Sequence, residues 1–328
     1  MMRLLRVELN RLFSRRSTQV ALVGLLGMVL VALFALYQSS RPVSDAEVAQ
    51  ATQWYEEAHA DWVENGDEQL AQCLEDQEVA READPLVDYM CEDQEPQLEN
   101  FLRVDQTFVD QAAGLLPAIG FATVFVGFVV GVSFVAAEFA TGAMGSWLTF
   151  EPRRTRVFWS KTVAPGLGVV VPTVVASLLM VAGAWGIFSA WGATDGTTGE
   201  VWGEVAVSGL RVLLLTVGFA VLGAALAMIL RSTAAAIGLA VGYFVLVEGF
   251  LVQMVSGAQN WSLFQSFQAV LRGAVTYGVE ECTTTSSGVS CTWVERTTSL
   301  THGAVELTVL LAVVLAVALV TFRRRDVA

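Results

Sequence analysis

Lysine is nearly missing from this chain. Lys161 is the only one among 328 residues, and arginine supplies the rest of the 19 basic side chains. A Walker A phosphate loop needs Gly-Lys-Ser/Thr, whereas Lys161 lies between Ser160 and Thr162. Any ATP chemistry therefore has to come from another polypeptide. Histidine is almost as scarce, with only His59 and His302, and neither sits deep in an apolar run. No cysteine or aspartate does either. An intramembrane enzyme, which would need such groups paired within its spans, is disfavoured, so no catalytic residue, metal ligand or cofactor site is assigned to this chain. Charge of either sign is sparse, at 16% of residues against 54% hydrophobic, and the mean hydropathy is +0.56. That is too apolar for an ordinary soluble domain, and lipid has to solvate much of the chain.

What charge there is has been segregated. The formal net charge is -13, yet residues 37–110 alone hold 20 Asp and Glu against Arg41, Arg81 and Arg103, leaving the remainder mildly basic. The four cysteines, Cys73, Cys91, Cys282 and Cys291, all lie in hydrophilic stretches. If those stretches face an oxidising compartment, two local disulfides are the economical reading.

A hydrocarbon core about 30 Å thick needs roughly 20 apolar helical residues, and six stretches qualify: 18–37, 111–138, 162–191, 205–230, 234–255 and 300–322. The third contains Pro165 and Pro172, which predicts a kink or tilt, and Glu248 interrupts the fifth. The first is read as a permanent span, because a long basic stretch precedes it and no signal-peptide cleavage site follows.

Short basic loops stay in the cytoplasm. Under six spans, Arg3, Arg6, Arg11, Arg15, Arg16, Arg153, Arg154, Arg156, Lys161, Arg231 and Arg323 to Arg325 share one side, 13 of the 19 basic residues. That side is expected to be cytoplasmic, with both termini there and the protein in the inner (plasma) membrane. The other side receives 38–110, 192–204 and 256–299, and with them all four cysteines.

Residues 1–17 carry Leu5, Leu9, Leu12 and Phe13 at helical spacing with Arg3, Arg6 and Asn10 elsewhere, the pattern of an amphipathic helix on the inner leaflet. The acidic segment has helix formers, Trp54, Tyr55 and Trp62, which suggests a small helical cap whose long helix emerges from span one. Within 256–299, Trp261, Phe264, Phe267, Val270 and Leu271 line one face of an interfacial or re-entrant helix. Cys282 to Cys291 then reads as a hairpin around a Ser-Gly turn. The expected fold is an all-α polytopic membrane protein: six transmembrane helices, an N-terminal amphipathic helix, a small extracytoplasmic helical cap and a disulfide-tied hairpin.

Arg211, Glu248 and Glu306 fall within spans, where charge is costly and usually functional. Their similar depth suggests an ion pair from Arg211 to one of the carboxylates. Small-residue pairs, Gly127 with Gly131 and Gly238 with Gly242, suggest close helix packing within the subunit.

The stretch EFATGAMGSWLTFEPRRTRVFWSK, from Glu138 to Lys161, resembles the loop between the second and third spans of ABC-2 type transporter permeases. That pattern is a Glu closing span two, a Gly four on, then Leu, Pro, Arg and a Lys opening span three, here Glu138, Gly142, Leu148, Pro152, Arg153, Arg154, Arg156 and Lys161. MRLLRVELNRLFSRR is similar to the family's elbow helix, and FRRRDVA to its usual termination. The large acidic cap departs from the short first outer loop of many members.

The resemblance implies a permease subunit of an ATP-driven exporter. It would dimerise with a second copy or a related chain, bind two ABC ATPase subunits that hold ATP and Mg, and bind no nucleic acid. Loop 139–161 would be a coupling helix, with Gly142 and Gly145 allowing close approach, Trp147 and Phe150 as anchors, and the arginines pairing with acidic ATPase residues. The turn 231–233 around Arg231 would be a smaller contact, and 323–328 a cytoplasmic tail. A membrane scaffold or sensor that recruits an ATPase without transporting anything is the alternative.

Overall fold

The computed structural model describes the chain except Met1, 84–86, Ser256, 286–287 and 325–328, and except the side chains of 2–4, 83, 92, 148, 253 and 280–291. Thirteen α-helices and one hairpin are described. They divide into two units, one of residues 1–37 with 108–328 and one of 38–107.

In the larger unit, α1 (Met2–Ser14) precedes α2 (Arg16–Ser40). Then come α5 (Phe108–Ala140), α6 (Ala143–Phe150), α7 (Arg154–Gly168), α8 (Val170–Ala190), α9 (Gly199–Leu230), α10 (Thr233–Gly242), α11 (Val252–Met254), α12 (Leu263–Arg272) and α13 (Leu300–Arg324). Among the described residues, six helical stretches are long and apolar enough to cross a bilayer: Arg16–Ser40, Phe108–Ala140, Arg154–Ala190, Gly199–Leu230, Thr233–Leu251 and Leu300–Arg324. A helix satisfies every backbone group internally, which is what an apolar run needs in lipid. The fold is an all-α polytopic membrane protein.

The core is the pair α5 and α9. A Cβ on Gly131 would stand 2.0 Å from the carbonyl oxygen of Ala220, and one on Gly223 would stand 2.4 Å from that of Phe128. Gly127 seats Thr216 in the same seam. Small residues on both partners thus bring the backbones into contact, the usual means of helix association in lipid. Gly238 and Gly242 have open space instead, so that second pair packs nothing in this unit.

The third span kinks as the prolines predict. Helix α7 carries Pro165 and ends at Gly168, and α8 restarts at Val170. It begins earlier than hydropathy suggests, at Arg154 rather than 162; of the charges in its first turns, Lys161 is neutralised by carboxylates of α1 and α5. The fifth span is interrupted around Glu248 by a π-helical stretch, Tyr243–Leu251, between α10 and α11.

After α12 the chain forms an antiparallel hairpin, β1 (Ala274–Thr285) and β2 (Gly288–Ser299). It is far longer than the 282–291 segment expected. Its register places Cys282 opposite Cys291 and Ala274 opposite Ser299. The expected Ser-Gly turn, and the side chains that would form this second disulfide, lie outside the described residues. Gly278 is needed because Trp293 lies across it, with ring atoms 2.9 Å from where a Cβ would be.

The smaller unit is built on α3 (Asp45–Ala83), with α4 (Leu98–Phe101). The long helix is present but is not a continuation of span one. The chain leaves α2 at Ser40, and Ser44 starts α3 with a capping box: the Ser44 amide donates to Glu47 Oε2 at 2.9 Å, and the Glu47 amide donates to Ser44 Oγ at 3.3 Å. Cys73 and Cys91 form the expected disulfide. Arg103 donates to the carbonyls of Ser39 and Arg41, closing the unit near its ends.

Candidate functional site

The helical spacing of α1 puts Leu5, Glu8 and Leu12 on one face, against α7. Leu12 fits over Gly168, where a Cβ would meet it at 2.6 Å. That docking carries Glu8, on the same stripe, to the side of Lys161. Lys161 is fully buried, with its Nζ 2.8 Å from Glu8 Oε2 and 2.6 Å from Glu138 Oε2. Both carboxylates are buried as well.

Two arginines complete the group. Arg11 Nη1 is 3.3 Å from Glu138 Oε1 and 3.9 Å from Glu8. Arg15, in the link between α1 and α2, reaches Glu138 at 3.3 Å and donates to the Phe134 carbonyl at 2.7 Å. Aromatic faces close the group: Lys161 Nζ lies 4.7 Å from the Trp147 ring centre, and the Arg15 guanidinium 4.7 Å from that of Phe134.

Three cations and two carboxylates thus join α1, the start of α2, the end of α5, α6 and α7. Burial pushes the Glu8 carboxyl above its ordinary value, with Lys161 pulling the other way. The arrangement holds no nucleophile and no free base. It behaves as a lock centred on Lys161, the one fully buried cation: removing it leaves two buried carboxylates facing only partly exposed arginines, which costs more than the pairs contribute.

The remaining expected site residues separate by orientation. Trp147 faces inward over Lys161 and Arg11, so it is not a free anchor. Phe150 projects outward with 87% of its surface exposed. Within this chain Gly142 meets nothing within 4 Å of a Cβ. It adopts φ +68° to turn the chain from α5 into α6. Gly145 lies in the first turn of α6 with its amide on the Gly142 carbonyl, and the side chain of Leu148 lies outside the described residues.

Pro152 and Arg153 are exposed before α7, and Arg156 pairs loosely with Glu151 at 3.9 Å. Arg154 reaches back to the carbonyls of Phe322 and Arg323, capping the end of α13. Arg231 ends α9 in the left-handed region, φ 54°, with its guanidinium 5.4 Å from the Phe139 ring centre.

The intramembrane charges do not pair as expected. Among the described residues Arg211 has no carboxylate within 4.0 Å, because all three groups serve α12 separately. Glu248 sits at its N-terminus, accepting from Ser262 Oγ at 2.5 Å, Tyr243 Oη at 3.0 Å and the Phe264 amide at 3.3 Å. Glu306 accepts from Ser266 Oγ, with His302 Nε2 3.7 Å away. Arg211 lies at the other end, where its Nη1 would be 2.8 Å from a Cβ on Gly273. Acid at the N-terminus and base at the C-terminus complement the helix dipole, and these local partners outcompete a direct pair.

Residues 102–328 match the profile of a family described as "Protein of unknown function (DUF2705)". The chain belongs to this family. The matched stretch includes Glu138, Trp147 and Lys161, whereas Glu8, Arg11 and Arg15 precede it. No curated protein and no solved structure matches the chain.

Sequence reasoning found Glu138, Trp147 and Lys161 but missed Glu8 as their partner. The available signal was its position, three residues after Leu5 and four before Leu12, inside the apolar stripe of α1.

Proposed function

We propose that this chain is the permease subunit of an ATP-driven ABC transporter of the ABC-2 type, working as an exporter. It dimerises and is powered by two separate ATPase subunits, in the plasma membrane with both termini cytoplasmic. The observation that carries the reading is the buried network behind α6. A short helix that presents an exposed Phe150, flanked by Arg153 and Arg156, is fixed by a cluster of five charges, three of them buried, to the ends of α5 and α7. A push on Phe150 would therefore be delivered to the membrane-spanning core instead of being absorbed by a loose loop. The arginines shared by α1, α6 to α7, the α9 turn and the end of α13 support a cytoplasmic face there. The resemblance of Glu138 to Lys161 to the family's coupling loop supports the partner.

The test is purification of the tagged full-length chain from its native membranes, followed by assay of vanadate-sensitive ATP hydrolysis in the eluate. The wild type should bring such activity with it. Phe150→Asp should lose most of it, since removing a central anchor costs about 2 kcal/mol, roughly 30-fold in affinity. Absence of ATPase activity from the wild-type eluate, or its retention by Phe150→Asp, would contradict the reading. Turnover that no candidate substrate alters, with nothing moved across vesicles, would favour a scaffold or sensor.

A further inference from the structure

On α9, Arg211, Leu214, Leu215, Gly218 and Leu222 share one face. The four apolar members line a cavity of about 320 Å³ whose opposite walls include Val270 of α12 and Leu307 of α13. Apart from Thr308, its lining is entirely apolar. From Leu214 to Leu222 the groove follows α9 for about 12 Å at 1.5 Å per residue, with Arg211 one turn before its start on the same face.

The end of this face carries a charge. Arg211 is half-buried, its guanidinium rests against Gly273, and among the described residues it makes no ion pair or hydrogen bond. The C-terminus of α12 supplies only about half a negative charge, and Arg272 in the last turn of α12 adds a second cation. The nearest acid on α13, Glu306, is engaged at Ser266, seven residues or about 10 Å along from Gly273. A net positive site therefore caps an apolar groove at membrane depth, where an unpaired arginine is costly and demands an anion.

We propose that this groove binds one membrane lipid with an anionic headgroup. The lipid phosphate sits on the Arg211 guanidinium, whose planar fork matches phosphate oxygens, and an acyl chain lies along Leu214 to Leu222. The site depends on the membrane fold alone, so failure to find an ATPase partner would leave it standing.

The experiment equilibrates the purified full-length protein with vesicles of equal phosphatidylglycerol and phosphatidylcholine and reads retained lipid by native mass spectrometry. The wild type should retain phosphatidylglycerol about tenfold over phosphatidylcholine, as expected for one charge-assisted contact. Arg211→Gln should bring that ratio close to one, and Arg211→Lys should restore part of it. Gly218→Leu fills the groove from a position where a Cβ meets nothing within 4 Å, and should reduce retention of both lipids together. An unselective wild type, an unchanged ratio in Arg211→Gln, or undiminished retention in Gly218→Leu would each overturn the proposal. Thermal unfolding of Gly218→Leu and Arg211→Lys separates lost binding from lost fold.

Discussion

Lys161 illustrates how a single side chain can be decisive in this molecule. Its charge is held by two buried carboxylates and two rings, so Lys161→Ala leaves the buried Glu8 and Glu138 with only the partly exposed Arg11 and Arg15 to balance them. The expected cost is about 3–5 kcal/mol, read as a large drop in thermal unfolding temperature in detergent. Arg156→Ala, which removes an exposed pair, should cost at most about 1 kcal/mol. Equal effects of the two substitutions would refute the lock. Glu138 and Lys161 were singled out because they fill the Glu and Lys positions of the coupling-loop pattern that the stretch resembles. Glu8 was not: a lone glutamate on an amphipathic helix reads as part of its polar face, and its partner lies 153 residues away. Only its place between Leu5 and Leu12 distinguishes it. The Arg211 pairing failed for a related reason, since equal depth along separate helices says nothing about which way side chains turn.

At the scale of elements, contact between α5 and α9 depends on the missing side chains of Gly131 and Gly223. Gly131→Leu must force the two backbones apart and should abolish stable folding, whereas Gly238→Leu, with open space around it, should be tolerated; expression and monodispersity in detergent will show which holds. In the smaller unit, donors from Ser44, the backbone amide foremost, hold the Glu47 carboxyl below its ordinary value. Because the folded value is the lower one, the capping box supports α3 above the ordinary carboxylate titration and loses that support as pH falls through the lowered value. Hydrogen exchange at the first turn of α3, corrected for intrinsic rates, should show protection falling at acid pH in the wild type and no such change in Glu47→Gln. Removing the Cys73–Cys91 link by a double Ser substitution should cost the smaller unit about 3 kcal/mol in the chain-entropy model. Cysteine spacing made that disulfide legible. The length of the β1–β2 hairpin was not, because its flanking Thr, Val and Tyr residues carry no break to mark where pairing starts.

Across the whole molecule, the number of spans and the kink in the third followed from apolar run length and from Pro165 and Pro172, properties that lipid enforces on sequence directly. Which helices form the core did not, because every span is apolar all round and only the positions of small residues separate α5 and α9 from the rest. The proposed function depends on one large-scale arrangement: the face bearing α6 and its arginines meets the ATP-containing compartment. Thiol labelling of intact cells with a membrane-impermeant maleimide tests this most directly, comparing Phe150→Cys with Asp195→Cys in the exposed turn between α8 and α9, and subtracting the wild-type background. Asp195→Cys should label in intact cells, and Phe150→Cys only after permeabilisation. Labelling of Phe150→Cys in intact cells would contradict this arrangement.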